Sequence, residues 1–235
     1  MKYSKIILSC LISIMLVTAA SAAWVPVTGE PVSISSLGDG AFIFGDKMLS
    51  EIYLFGSSTG GAIEPDADSV YVQGGYDDVT GNYGLWFLLS WNALSGQTVN
   101  ATLNFKISVL PRPRFEDYFI KDVEMYITGA SATASGGVNV GEAVWDAPFP
   151  GGENIALLSC SVQESGAKVY DHKEFEPLKE IWIFSKDISV TGGTAPDGSG
   201  HISGLFQFYS QVPEPATLML LGTASVWIIA RKKKH

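Results

Sequence analysis

Residues 102–109 read TLNFKISV, with polar and apolar side chains in strict alternation. In an extended chain successive side chains point to opposite faces, so Leu103, Phe105, Ile107 and Val109 share one side of a strand. Residues 118–128 and 180–191 are rich in β-branched and aromatic types and predict two more strands. Shorter strand-like runs occupy 41–45, 48–55, 70–75 and 155–162. Residues 84–91, GLWFLLSW, are almost entirely apolar, the pattern of a central strand covered on both faces, which would put Trp86 and Trp91 in the core. Glycine pairs at 60–61, 74–75, 136–137, 151–152 and 192–193 punctuate these runs as turns. No long stretch has a 3.6-residue period. A short helix at 172–178 is the one helical candidate, limited by Pro177. About ten strands at this spacing predict an all-β fold, an antiparallel β-sandwich of jelly-roll type.

The two ends break this pattern. Lys2 and Lys5 precede an apolar run over 6–17, and Ala20-Ser21-Ala22 follows. That order is the pattern of a secretory signal peptide, residues 1–22, cut by signal peptidase after Ala22. At the other end Pro213 and Pro215 bracket Glu214. Their fixed φ and missing N–H groups exclude a helix interior or a central strand, leaving an exposed, extended segment. Residues 216–230 then carry no charge, and Arg231, Lys232, Lys233 and Lys234 follow at once. Fifteen helical residues span about 22 Å, short of a hydrocarbon core of about 30 Å. The adjoining cations make up the difference by snorkelling to a cytoplasmic interface. A single transmembrane helix over 216–230 with a basic stop-transfer tail is therefore expected.

The segment Val212-Pro213-Glu214-Pro215-Ala216-Thr217-Leu218, with Leu220-Leu221-Gly222 and the basic cluster behind it, resembles the PEP-CTERM sorting signal of exported bacterial proteins. All three parts of such a tail stand in order: the Pro-Glu-Pro motif, the membrane helix and the cationic end. The resemblance covers residues 212–235. It implies that an exosortase, a membrane-embedded transpeptidase, recognises Pro213, Glu214 and Pro215 and processes the tail. It also implies an envelope or extracellular-matrix destination in a bacterium that makes exopolysaccharide. The basic cluster is mostly lysine where arginine is commoner in the family.

Residues 23–211 remain as one β-domain. The segment from 23 to 212 holds nine Lys/Arg against 23 Asp/Glu, a net of −14 compared with −9 for the whole chain. Such a surface repels phosphate backbones and excludes nucleic acid as a partner, while it suits neutral sugars and divalent cations. Cys10 lies in the signal peptide, so Cys160 has no intrachain disulfide partner and reads as a small buried hydrophobe. Only His172 and His201 remain as candidate bases for it, and neither sits in a catalytic motif.

Candidate chemistry is sparse. Glu64, Asp66 and Asp68 alternate along a loop, a spacing that lets extended-chain carboxylates converge as hard oxygen ligands for Ca²⁺; a solvated acidic loop is the competing reading. No other cofactor is expected. Trp145 precedes Asp146-Ala147-Pro148-Phe149-Pro150-Gly151-Gly152, a loop signature, and is the candidate for stacking on a glycan ring, with packing as the alternative. Glu116, Glu124, Glu142 and Asp146 supply carboxylates for a glycosidase pair, but 23 acids always offer some pair. The reading is a non-catalytic exported protein. A secreted carbohydrate-binding module is the alternative, and an extracellular glycoside hydrolase comes last.

Overall fold

The computed structural model describes residues 23–111 and 118–213. Residues 1–22, Arg112 to Asp117 and the tail from Glu214 onward, including Pro215 and Arg231 to Lys234, lie outside the described residues. Among those described, no helix is long and apolar enough to cross a membrane.

The chain is all-β, and its strands pair antiparallel in two sheets. In chain order the elements are β1 (Trp24–Pro26), β2 (Val32–Ser33), the single helical turn α1 (Ile34–Leu37), β3 (Phe42–Phe44), β4 (Lys47–Thr59), β5 (Tyr71–Asp77), β6 (Tyr83–Leu94) and β7 (Thr98–Val109). There follow β8 (Tyr118–Thr128), β9 (Ser131–Thr133), β10 (Gly137–Trp145), β11 (Asn154–Gln163) and β12 (Gly166–Lys168). The last are β13 (Tyr170–Leu178), β14 (Glu180–Thr191), β15 (Ser199–Tyr209) and β16 (Gln211–Pro213). One sheet runs β1-β5-β6-β15-β8-β13, with β2, β9 and β16 on its margins; the other runs β12-β11-β10-β14-β7-β4-β3.

The inward faces of the two sheets share one hydrophobic core. Alternation places Leu103, Phe105 and Ile107 of β7 inside, as their period predicts, opposite Leu85, Phe87, Leu89 and Trp91 of β6. Phe87 and Phe105 touch across the gap with ring centroids 5.4 Å apart. Burying these rings and aliphatic chains stabilises each by roughly 1.5–3 kcal/mol.

Three expectations change. Strand β6 is not apolar because both faces are covered: Trp86 lies half-buried on the outer face, stacked on Phe206 at 5.2 Å, while Trp91 is core. Residues 172–178 form strand, not helix. They pair with β8 at the sheet margin, and Pro177 falls in the register shift between Glu174 and Leu178, where no ladder hydrogen bond is required of it. Pro213 ends β16, paired with Tyr118 of β8, at a margin that tolerates a missing N–H.

On either side of β7, the neighbouring strand carries one extra residue. Ile183 and Lys186 of β14 face Phe105 and Leu103 of β7, and Ser50 and Tyr53 of β4 face Lys106 and Asn104 of β7. These bulges flank the same stretch of β7. Each contains a non-glycine residue at positive φ, Ser185 at 58° and Glu51 at 54°. The strain is offset in β14 by Asn104, whose Oδ1 accepts from the Ser185 N–H at 2.8 Å. Past its bulge β14 reverses phase: Phe184 and Ser185 both face out, and Lys186 turns into the core.

Candidate functional site

The outer face of the second sheet carries the most exposed aromatic surface. On β4, Tyr53 and Phe55 alternate with inward neighbours and are 53% and 63% exposed. On β14, two strands away, Trp182 and Phe184 stack with ring planes 10° apart and centroids 5.8 Å apart. Between them β7 contributes Asn104 and Lys106. Tyr53, Phe55, Asn104, Trp182 and Phe184, with Glu51 and Phe105, line a groove of about 290 Å³, and Lys106 stands beside it.

Charge is concentrated at one end of the groove. Lys106 lies over the Trp182 ring at 4.9 Å and pairs with Glu51 at 3.0 Å, with Glu180 at 3.9 Å. A cation over the π face of an indole is an attractive arrangement, and here it also fixes the ring that forms the groove wall.

Trp145 joins this surface. Its register partner across the β10–β14 ladder is Trp182. Phe149, 64% exposed, meets Trp145 edge-on at 5.7 Å and reaches Phe184 at 6.5 Å. The loop that presents Phe149 is closed by Asp146, whose carboxylate accepts from the Glu153 N–H at 2.7 Å. Trp145, Phe149, Phe184 and Trp182 thus form one contiguous aromatic row, with Trp145 itself half-buried. The indole N–H groups of Trp145 and Trp182 are out of solvent and have no acceptor among the described residues.

Sequence reasoning selected Trp145 alone from this row. Tyr53, Phe55, Trp182 and Phe184 were legible only as members of strands apolar at both parities, Ile52 and Leu54 beside Tyr53 and Phe55, Ile181 and Ile183 beside Trp182 and Phe184. That pattern marks an outward aromatic face but does not say which parity is outward.

The three loop carboxylates do not converge. Asp66 accepts from the Ser69 N–H at 2.7 Å and caps its own turn, Asp68 accepts from the Ser35 hydroxyl, and Glu64 faces a separate crevice beside Ser90 and Asn92. The loop is held against β4 by a close approach at Gly56, where a Cβ would stand 2.0 Å from the Pro65 carbonyl oxygen. Instead, among the described residues, Asp122, His172 and Glu174 bring metal-type ligand atoms within 4.8 Å of one another.

Of the nominated acids, Glu116 lies outside the described residues, and Glu142 and Asp146 have structural partners. Glu142 is buried and ion-paired with Lys186, and Gln207 donates to its other oxygen. Glu124, on the outer face of the first sheet, is raised above the usual carboxylate range by burial and then by the nearby Asp122 charge. Cys160 is buried, its thiol pushed up to about 11 by desolvation, and its Sγ lies 3.6 Å from the Met125 carbonyl. It is a core residue. Two Lys-Asp strand segments that look alike in sequence differ in role: Lys186 is inward and Asp187 outward in β14, whereas in β8 Asp122 is the buried member.

No curated protein matches the chain. Among solved structures, the enzymatically active domain of tailspike protein 4 of bacteriophage CBA120 is similar at 12% identity and a TM-score of 0.25, covering 68% of this chain and 19% of that one. The chain therefore spans about a fifth of that structure's length. Residues 211–234 match the family model of the PEP-CTERM protein-sorting motif, so the chain carries that sorting motif at its C-terminal end.

Proposed function

We propose that this protein is exported, sorted through its C-terminal signal and processed by an exosortase, and that its β-domain is a non-catalytic polysaccharide-binding module of the envelope or extracellular matrix. The sorting motif at 211–234 supports the address. In this reading residues 1–22 direct export and are removed by signal peptidase. Residues 216–230 hold the precursor in the membrane with Arg231 to Lys234 in the cytosol. The two packed sheets suit a sandwich of jelly-roll type.

The observation that carries the ligand class is the row of exposed rings on the outer sheet face. Phe55 and Phe149 leave nearly two thirds of their surface in water, beside the stacked pair Trp182 and Phe184. Monomeric proteins seldom leave contiguous aromatic surface uncovered, and the near-parallel rings of Trp182 and Phe184 offer a platform for the apolar face of a pyranose. Asn104, Glu51 and Lys106 supply hydrogen-bonding groups for hydroxyls at the margin. The acidic surface favours neutral sugars over nucleic acid. Absence of catalysis is supported by Glu142, Asp146 and Cys160, each already committed to internal contacts.

The test is binding of the purified chain and its Trp182→Ala/Phe184→Ala variant to immobilised polysaccharides, including exopolysaccharide from a producing bacterium. Retention of the wild type and loss in the variant, with unchanged thermal unfolding, is the expected result. Equal retention of both, or none by either, overturns the binding reading.

A further inference from the structure

We propose that Asp122, His172 and Glu174 form a site for a divalent transition-type metal ion, with Zn²⁺ the best-matched class, at the edge of the first sheet. Strands β8 and β13 create it. Glu174 is the register partner of Asp122, and His172 that of Glu124, so ligand-type side chains from two neighbouring strands meet. His172 and Glu174, two residues apart on β13, share one face.

The separation of His172 from Asp122 is the main observation. His172 Nε2 stands 3.5 Å from Asp122 Oδ2. That is longer than an N–H···O hydrogen bond, which spans about 2.7–3.2 Å. It is the spacing of two ligands on one tetrahedral ion, since bonds of about 2.0–2.1 Å put neighbouring ligand atoms about 3.4 Å apart. His172 Nε2 is also out of solvent and makes no hydrogen bond among the described residues. That nitrogen is placed to offer its lone pair to an ion shared with Asp122.

The remaining parts fit the same ion. Asp122 is 4% exposed, and its carboxylate is oriented by Ser210, whose N–H donates to Oδ1 at 2.9 Å and whose hydroxyl donates to Oδ2. Hydrogen bonds of this kind fix a ligating carboxylate from behind. Glu174 is exposed and brings its oxygen within 4.8 Å of the other two by a flexible chain that a rotamer change shortens. Three protein ligands leave a further position for water. One imidazole with two carboxylates selects Zn²⁺ and its transition-metal neighbours over Ca²⁺, which takes six to eight oxygens. Ser210 lies three residues before Pro213, so an ion here fastens the margin strand β13 to the root of the sorting segment.

Titration of the metal-free full-length chain with ZnCl₂, followed by calorimetry and thermal unfolding, tests this. The expected result is one equivalent bound and a raised unfolding temperature. His172→Ala and Glu174→Gln should each weaken binding at least about tenfold, and His201→Ala should leave it unchanged. Glu174 is exposed, so its variant folds even where a change at the half-buried His172 disturbs the sheet. No saturable uptake by the wild type, equal affinity in Glu174→Gln, or tighter binding of Ca²⁺ than Zn²⁺ overturns the proposal.

Discussion

Lys186 of β14 and Glu142 of β10 form an ion pair on the inward face of the second sheet, with neither side chain exposed to solvent. Glu142 reaches the core by the ordinary alternation of β10. Lys186 reaches it because the bulge at Ser185 shifts the phase of β14 by one residue. The pair is completed by Gln207, and the Lys186 ammonium also lies 3.5 Å from Met125 Sδ.

Breaking this pair should be among the most damaging single changes in the domain. Glu142→Ala leaves a buried ammonium uncompensated and is expected to cost roughly 3–5 kcal/mol. The double change Glu142→Leu/Lys186→Met removes both charges and should recover most of that loss, because the desolvation of two ions disappears with them. Urea unfolding of both variants checks this, and a double variant no more stable than the single one contradicts it.

The aromatic row should divide binding from stability. Phe55 and Phe149 are mostly exposed, so their replacement by alanine should change stability by less than about 0.5 kcal/mol while weakening polysaccharide retention. Trp182→Ala should weaken it further, by about tenfold, since a stacked ring contributes on the order of 1 kcal/mol. Affinity electrophoresis in polysaccharide-containing gels reads both effects.

Alkali should destabilise the fold through Cys160 and Tyr209. The thiol is held protonated by burial, its pKa raised from 9.0 to about 11, and the Tyr209 hydroxyl is raised well above 10.0 by burial and then by the Glu142 charge. The folded state thus binds these protons more tightly than the unfolded state. Their contribution is fully present below pH 9 and is lost as pH rises through about 11, worth roughly 2–3 kcal/mol for the thiol alone. Denaturant midpoints at pH 8, 9.5 and 10.5 should fall in that order, and Cys160→Ala should flatten the fall. Native Cys160 should also resist a thiol reagent that reacts promptly after unfolding.

Replacing Pro213, Glu214 and Pro215 by alanine should leave the β-domain folded, since Pro213 stands at the very end of a margin strand. Processing should fail. The expected outcome is an unprocessed precursor in the membrane fraction, read by mass spectrometry of the C-terminus. Wild-type processing of that variant would remove the exosortase assignment.

Local signals were read well. The alternation of 102–109 gave β7 its inward residues, and the strands at 118–128 and 180–191 coincide with β8 and β14. The sorting motif, too, was legible from residues alone, because a linear motif requires no fold to assemble it. What failed was local reasoning about residues with distant partners. Residues 172–178 look helical until β8 offers them a sheet margin.

The sequence by itself therefore determined the strand class, the core parity of the cleanly alternating strands and the C-terminal sorting motif. Only tertiary structure decided which aromatic parity faces water, why Lys186 is inside, and that His172 meets Asp122 across 50 residues of chain. The physical reason is that a period of two gives relative orientation only. Which face is buried, and which strands become neighbours, is set by how the two sheets pack and by single-residue bulges that no composition or spacing announces.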